Sequence, residues 1–393
     1  MKAMQIQRKR FSVAPMMDWT DRHYRYMARL LSARATLYTE MIHARAIIHG
    51  DRSRHLDFHA SEHPLVLQLG GSDAAHLAEA ARIGEDWGYD EINLNCGCPS
   101  DRVASGSFGA CLMADPMHVG HLVRAMKDAV SVPVTVKCRI GIEGRGLASR
   151  TGYEDLLLFA RKMQDSGCDG LIVHARIAVL GGLNPAQNRE VPPLRYEDVY
   201  RLKEDMPGLR IEINGGIRSP QEIQTHLNGA LDGVMVGRAA YERPALLCSV
   251  DSLVHEIAEG RSALRGGAAV MFSSPHSGPD NSNPELQEID TGAPGFAVPT
   301  ISPDRLEWVL DSMKEYILAR YAEGVPPQRI VRHMLGLVHG LPGARLFRQG
   351  LSGNWQRNLN SAASLDRYLG STFAVFCNQL REHQSSGSLI LQP

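Results

Sequence analysis

Several features that mark other protein classes are missing from this sequence of 393 residues. It has no run of eighteen or more apolar residues, so no transmembrane helix is expected. The opening segment, MKAMQIQRKR, is basic and contains no apolar stretch, so no secretory signal peptide is expected either. The seven cysteines form no CxxC pair and no Cys/His cluster with metal-ligand spacing. These absences favour a cytoplasmic protein with free thiols and no metal site, and they leave targeting to an organelle open.

The sequence also lacks net charge, because 42 Lys and Arg residues balance 43 Asp and Glu residues to give −1. This balance argues against a general polyanion-binding protein. It is uneven along the chain, however, because residues 324–365 contain no Asp or Glu and carry a net charge of +5. The arginines in this window are Arg329, Arg332, Arg345, Arg348 and Arg357. Arginine clusters suit phosphate contacts, whereas a solvated basic face without a partner is the alternative interpretation.

About the first 245 residues repeat one plan, in which a short β-branched or aliphatic run is followed by a turn and a helical segment. The eight runs are Phe11–Ala14, Thr36–Glu40, Leu65–Leu69, Glu91–Asn95, Val134–Lys137, Leu171–His174, Ile211–Asn214 and Val234–Val236. Eight such units, with no GxGxxG motif after the first, predict a TIM (β/α)8 barrel rather than a doubly wound sheet.

The second half of the chain changes in composition after the last of these runs. Residues 260–303 are rich in Gly, Ser, Pro and Asn and lose apolar periodicity, which predicts a low-complexity linker or long loop. Ser302-Pro303 then predicts a helix start, and the apolar spacing from Leu306 to Ile317 continues the helix. The predicted organisation is therefore a barrel domain over 1–250, the insertion over 260–303, and a helical domain over 304–383.

Glycine-rich turns follow the seventh and eighth runs, at Asn214-Gly215-Gly216 and Gly237-Arg238. In TIM barrels these two turns commonly bind phosphate through backbone N–H groups. A tight turn that merely needs glycine is the alternative for either one alone. Both together predict a ligand that carries a phosphate group.

Other run ends carry side chains that could pair with the polar edge of a heterocycle. Gln68 and Asn95 offer amides with both a donor and an acceptor, and Lys137 could balance negative charge on a flavin ring. His174 follows a buried run, so the alternative interpretation is a histidine packed in the core. The alternative interpretation for Lys137 is a surface lysine at the end of a strand.

The segment Asn95-Cys96-Gly97-Cys98-Pro99 predicts a thiol at the barrel mouth. A thiol is mostly protonated at neutral pH, so Cys98 could donate a proton without special tuning. A small buried cysteine is the alternative. No cysteine-protease signature surrounds it.

Several motifs taken in order give the sequence a resemblance to the tRNA-dihydrouridine synthase family. They are Ala14–Asp21, Asn93–Ser100, Val136–Gly141, Val173–Arg176, Ile213–Ile217 and Val236–Arg238. Asn188–Leu194, Arg332–Leu337 and Gly340–Arg345 resemble the A-type subgroup. The resemblance covers about 11–250 and resumes over 304–370.

This resemblance implies an FMN enzyme that reduces the C5–C6 bond of uridine in the tRNA D-loop, at position 20 and its neighbour 20a. NADPH would reduce a tightly but non-covalently bound flavin, and Cys98 would give a proton to C5 while hydride from flavin N5 reaches C6. The residues implied to hold FMN are Pro15, Met16, Met17, Gln68, Lys137, His174, Asn214, Gly215, Gly216, Gly237 and Arg238. The residues implied to contact the tRNA or its uridine are Asn95, Arg139, Arg176, Arg189, Arg345 and Arg348.

The chain departs from the family pattern at Ile177 and Ala186, where relatives often carry lysine, and at Cys96 and Cys138. Two other functions remain open on the residues alone. One is an FMN barrel oxidoreductase for a small molecule, which would not need the acid-free window. The other is a non-catalytic RNA-binding barrel, which would not need Cys98 and a complete flavin site. The expected partners are tRNA and NADPH, with no membrane, and a monomer is expected.

Overall fold

The computed structural model of the chain describes residues 10–100, 108–144, 146–258, 301–353 and 361–385. The predicted insertion over 260–303 lies almost entirely outside these residues. Its character as a linker, and the division into three domains, therefore remain predictions. Among the described residues, no helix is long and apolar enough to cross a membrane.

A closed barrel of eight parallel strands forms the larger part of the described structure. Its strands are β1 (Arg10–Val13), β2 (Leu37–Tyr38), β4 (Leu65–Gly70), β5 (Glu91–Cys96), β6 (Val134–Arg139), β8 (Gly170–His174), β10 (Arg210–Asn214) and β11 (Gly233–Val236). They neighbour one another in the order β1-β11-β10-β8-β6-β5-β4-β2. A parallel bridge between Ser12 and Thr36 joins β2 back to β1 and closes the barrel. Each predicted run overlaps one strand of the barrel, which confirms the TIM barrel.

In the described parts of the chain, three short strands lie outside this wall, namely β3 (Ile42–His43), β7 (Ile142–Gly144) and β9 (Ala178–Leu180). β3 pairs with the C-terminal end of β4. β7 and β9 pair with each other as a separate parallel ribbon. Because both follow barrel strands, this ribbon lies at the same edge as the predicted site.

Helices surround the barrel and connect its strands in the described part of the chain. They are α1 (Arg22–Leu31), α2 (Ala44–His49), α3 (Arg52–Leu56), α4 (Ala74–Trp87), α5 (Pro116–Ala129), α6 (Tyr153–Asp165), α7 (Tyr196–Asp205), α8 (Pro220–Asn228), α9 (Arg238–Glu242) and α10 (Val250–Ala258). Asp115 caps α5 by accepting from the N–H of His118 at 3.0 Å. Ser219 and Glu222 form a capping box at the start of α8.

Ion pairs fill the end of the barrel opposite the strand carboxyl ends. Arg10 lies 2.7 Å and Arg210 lies 3.0 Å from the carboxylate of Glu91. Glu212 lies 3.4 Å from Arg10. Buried charges are stabilised by charges of opposite sign, and each charge of this group has such a partner within 4 Å.

Among the described residues after the insertion there are four α-helices: α11 (Pro303–Ala322), α12 (Gln328–Val331), α13 (Ala344–Ser352) and α14 (Ala362–Ser385). The oxygen of Ser302 caps α11 by accepting from the N–H of Arg305 at 3.3 Å, as the Ser-Pro signal predicts. Phe347 is buried and packs on Phe373 and Phe376, so it belongs to the core of this region.

The helical region is joined to the barrel through the loop after β1. The Asp21 carboxylate accepts from Arg332 at 2.8 Å and lies 3.0 Å from Nε2 of His333. Nδ1 of His333 lies 3.1 Å from the hydroxyl of Tyr241, whose ring stacks on Trp19 with centroids 4.4 Å apart. The A-type motif that begins at Arg332 therefore forms part of a contact between the two regions.

Candidate active site

The structure brings most of the predicted site residues to one edge of the barrel, at the carboxyl ends of the strands. β4, β5, β6, β8 and β10 carry Gln68, Asn95, Lys137, His174 and Asn214 at or near those ends. Active sites of TIM barrels lie at this edge. The two predicted tRNA contacts on α13, Arg345 and Arg348, lie in the helical region instead.

The turn that carries Cys98 is fixed by one amide. Oδ1 of Asn95 accepts from the backbone N–H groups of Gly97 at 3.1 Å and of Cys98 at 3.0 Å. Cys98 is half-exposed, whereas Cys96 is buried in the strand wall. A single side chain thus sets the direction of an accessible thiol at the mouth.

A chain of hydrogen bonds connects this turn to the ion pairs at the opposite end. Asn95 donates to Oε1 of Gln68, and Gln68 donates to Oδ1 of Asn93, each at 2.8 Å. Asn93 donates at 2.9 Å to Thr135, whose hydroxyl donates to Glu91 at 2.7 Å. Because Gln68 uses one N–H and one lone pair here, one of each remains for a ligand.

Lys137 and His174 give the mouth two polar groups of different charge. Nζ of Lys137 donates to Oδ1 of Asn214 at 3.1 Å, and burial lowers the pKa of Lys137 to about 8. Burial, together with the nearby Arg139 and Lys137, lowers the pKa of His174 well below its usual value. At neutral pH the site therefore holds an ammonium beside a neutral imidazole, which can both donate and accept.

The two glycine turns leave backbone donors without partners. Gly215 and Gly216 have φ of +116° and +72°, a region that side chains rarely adopt. A Cβ on Gly215 would lie 2.6 Å from the His174 ring. Within the described ranges, the N–H groups of Gly216 and Gly237 have no hydrogen-bond acceptor. Such unpaired amides can bind an anion, and this agrees with the expected phosphate.

Arg238, the predicted charged partner of that phosphate, is placed beside a carboxylate. Its guanidinium donates to Oε1 of Glu190 at 2.6 Å. Glu190 is exposed, and this hydrogen bond is the main cause of its lowered pKa. A phosphate at the glycine turns would share Arg238 with Glu190 or displace Glu190 from it.

The loop after β1 supplies Pro15, Met16 and Met17. The sulfur of Met16 lies 3.6 Å from where a Cβ on Gly237 would stand, so the first and last strand ends meet here. Met17 is 56% exposed at this edge. Asp18 adopts a φ of +63°, and its N–H donates to the carboxylate of Glu40.

Arg139 is buried, with 3% of its surface exposed. Its guanidinium donates to the carbonyl of Gly97 at 3.2 Å, of Ile177 at 3.1 Å and of Asn188 at 2.8 Å. These bonds tie the Cys98 turn to the segment after β8. Contact of Arg139 with the substrate remains a prediction.

Arg176 and Arg189 lie on the segment after β8, which is built around Asn188. The Asn188 side chain is fully buried and bonds to both backbone groups of Val179, at 2.8 and 2.9 Å. Arg176 donates to the carbonyls of Glu190 and Pro192, whereas Arg189 is exposed. Of these two arginines, Arg189 presents the more accessible charge to a large substrate.

Arg345 and Arg348 are exposed on one face of α13, together with Leu346. Arg332, from the same acid-free window, pairs with Asp21 and is partly neutralised. The described arginines of the basic window are therefore Arg332, which pairs with the barrel residue Asp21, and three exposed residues, Arg329, Arg345 and Arg348. Arg357 lies outside the described residues.

The sequence did not reveal the roles of three supporting residues. Asn188 and Glu40 act on backbone groups, and Tyr196 donates to the carbonyl of Gly215 at 2.6 Å. The Asn188–Leu194 motif was the one signal that pointed to this region. Among the described residues no group of three or more His, Cys, Asp or Glu side chains could hold a metal ion.

Comparison with known proteins shows which family shares these motifs. The sequence model described as "Dihydrouridine synthase (Dus)" matches residues 12–276. A protein of Pseudomonas syringae pv. tomato called tRNA-dihydrouridine(20/20a) synthase is 47% identical over 359 residues, which cover 91% of this chain and 93% of that protein. Proteins with the same name are 48% identical in Synechocystis sp., over 87% of this chain and 88% of theirs, and 46% identical in Shigella flexneri, over 88% of each. The chain belongs to the dihydrouridine synthase family.

Proposed function

We propose that this protein reduces uridine to 5,6-dihydrouridine in the tRNA D-loop, at positions 20 and 20a, with FMN as the bound cofactor and NADPH as the reductant. The single observation that carries the proposal is the arrangement at the mouth. A half-exposed thiol, Cys98, is held in a fixed turn at the edge where Lys137, His174 and two unpaired glycine amides also lie.

The residues at the mouth fit a flavin mononucleotide. The backbone amides of Gly216 and Gly237, together with Arg238, suit its phosphate. The turn that carries these amides needs glycine at position 215, because a Cβ there would clash with the His174 ring. The unused N–H and lone pair of Gln68 suit the polar edge of its ring. When bound, the flavin supplies the hydride for C6 of the uracil.

The side chains of the chain have separable tasks in this reaction. Cys98 donates the proton to C5, and Asn95 sets where its thiol lies by bonding two amides of the turn. Lys137 holds positive charge beside the flavin. At neutral pH the uncharged imidazole of His174 can donate a hydrogen bond to the flavin or accept one from it.

The phosphates of the RNA would be bound away from the place where the uridine is reduced. A uridine must leave its stack to enter a barrel mouth, so the phosphates around it are gripped elsewhere. Arg189 at the mouth and Arg345 and Arg348 on α13 are exposed and could serve this grip. NADPH as the donor, a monomeric state and a cytoplasmic location remain predictions.

Incubation of the purified protein with NADPH and an unmodified tRNA transcript tests the proposal. Nucleoside mass spectrometry should find dihydrouridine, and denaturation should release FMN. Protein that cannot be loaded with any flavin would contradict the cofactor assignment. Flavin-loaded protein that oxidises NADPH without forming dihydrouridine would favour a small-molecule oxidoreductase.

A further inference from the structure

Tyr196, the first residue of α7, makes a hydrogen bond to one of the glycine turns. Its hydroxyl donates to the carbonyl of Gly215 at 2.6 Å. The N–H of the preceding residue, Arg195, donates to the carbonyl of Ala175 at 2.9 Å. The start of α7 is thereby tied both to the segment just after β8, next to His174, and to the segment just after β10.

The bond to Gly215 fixes the direction of a neighbouring amide. The carbonyl of Gly215 and the N–H of Gly216 belong to the same planar trans peptide, so they point in opposite directions. Because Tyr196 holds the carbonyl toward α7, the N–H of Gly216 points away from that helix. Within the described ranges this N–H has no acceptor, and the same is true of the N–H of Gly237.

The turn depends on such outside support because of its composition. Two consecutive glycines with positive φ have little intrinsic preference for one conformation, and the peptide between them can rotate. A Cβ on Gly216 would lie 2.5 Å from Leu194 and 2.9 Å from the Tyr196 oxygen, so the turn packs directly on these two side chains. Leu194 makes only packing contacts with the turn. Tyr196 packs on it and also makes a hydrogen bond to it.

Tyr196 is itself held in place by its neighbours. Its ring lies edge-on to His226 with centroids 4.9 Å apart, and Nδ1 of His226 lies 2.6 Å from the hydroxyl of Tyr200. Burial raises the pKa of Tyr196 to about 12, so its hydroxyl keeps the donated proton throughout the neutral range.

We propose that Tyr196 is a positioning residue for the phosphate end of the flavin. Its hydroxyl orients the Gly216 amide and so favours a flavin that carries a phosphate, FMN, over riboflavin, which has none. This inference rests on the proposed flavin-dependent function. Tyr196 acts through the glycine turn and takes no part in the hydride or proton steps.

The variant Tyr196→Phe removes the donor and keeps the ring. Tyr153→Phe is the matched control, because Tyr153 is also the first residue of its helix, α6, is also half-buried, and donates to Asp205 rather than to the turn. Dissociation constants for FMN and for riboflavin are measured on flavin-free protein by quenching of flavin fluorescence. Thermal unfolding of each flavin-free variant shows that it is folded.

In the Tyr196→Phe variant, FMN should bind about 3- to 10-fold more weakly, as expected for one hydrogen bond, while riboflavin affinity stays unchanged. The preference for FMN over riboflavin should be retained in Tyr153→Phe. An equal loss for both flavins, or the same loss of preference in Tyr153→Phe, would overturn the inference, because a general packing defect would explain it. If the wild-type protein binds neither flavin, the proposed function itself fails.

Discussion

The ammonium of Lys137 reaches across the barrel mouth from β6 to the amide oxygen of Asn214 on β10, 3.1 Å away. The strand between them, β8, ends in His174. Burial holds the pKa of Lys137 near 8, so the ammonium predominates at neutral pH. One hydrogen bond uses only one of its three donors, which leaves positive charge available to a ligand at the mouth.

Replacing Lys137 should change the electronics of the bound flavin. The Lys137→Met variant is expected to lower the midpoint potential of the flavin by about 30–60 mV, since a nearby cation favours the added electrons and 30 mV corresponds to about 1.4 kcal/mol for two electrons. The gap between wild type and variant should be widest below pH 8, where Lys137 is charged.

Spectroelectrochemical titration measures these potentials. Lys137→Arg keeps the charge and should retain a potential close to that of the wild type. Equal potentials in the wild type and Lys137→Met at pH 7 would remove Lys137 from the cofactor site.

The Cys98→Ala variant should separate the two halves of the reaction. Loss of a general acid commonly costs about 10²- to 10⁴-fold, so dihydrouridine formation should fall by that factor. Reduction of the flavin by NADPH without oxygen should continue, because no proton to the uracil is needed there. Stopped-flow absorbance and nucleoside mass spectrometry measure the two steps.

Cys111→Ala is the control for that loss. Cys111 is also a half-buried thiol, and its sulfur lies 3.0 Å from the carbonyl of Phe108. The Cys111→Ala variant should form dihydrouridine at nearly the wild-type rate. Full activity in Cys98→Ala would overturn the acid assignment.

Reversing the exposed charges of α13 should weaken tRNA binding. In the double variant Arg345→Glu, Arg348→Glu, affinity should fall at least about 10-fold at low salt, and the slope of log K against log salt should become shallower by about 2. The matched control is Arg82→Glu, Arg161→Glu, because both residues are exposed on outer barrel helices. If both double variants bind tRNA equally well, the acid-free window is a solvated face without a partner.

His23 should make the protein less stable in weak acid. It is buried beside the hydroxyl of Tyr316, 2.9 Å from Nδ1, and burial lowers its pKa to about 4 despite the nearby Asp21. Between pH 6.5 and 4 the unfolded chain therefore binds more protons, so the free energy of unfolding falls as pH falls, by up to about 3 kcal/mol.

Denaturant unfolding across this range measures that dependence. His23→Gln should make the curve less steep between pH 6.5 and 4, while the buried His174 keeps part of the slope. His121→Gln, at an exposed position, should leave the curve unchanged. A His23→Gln curve as steep as that of the wild type would contradict the effect of burial.

The barrel was predictable because buried parallel strands appear as short aliphatic or β-branched runs with a regular spacing. In this topology the carboxyl ends of all the strands lie at one edge of the barrel. The sequence therefore predicted that Asn95, Lys137 and His174, which end their runs, lie near one another. The short ribbon of β7 and β9 was not predictable. Each of its strands has three residues, and it depends on the buried amide of Asn188.

Roles that depend on partners from distant loops were equally hidden. The sequence could not show that Arg139 has three carbonyl acceptors in the Cys98 turn and in the segment after β8. Arg332 counted toward a basic window, yet it pairs with Asp21 more than 300 positions away. Charge counted along a sequence does not reveal which charges are already paired in the fold.

Position-resolved mass spectrometry of a tRNA transcript tests the central claim most directly. The transcript is incubated with flavin-loaded protein and NADPH, then cut into fragments that separate uridines 20 and 20a from the rest. The account predicts a gain of two hydrogen atoms at these uridines, and none with Cys98→Ala over the same time. Unchanged uridines in the presence of flavin and NADPH, or a gain confined to other positions, would contradict it.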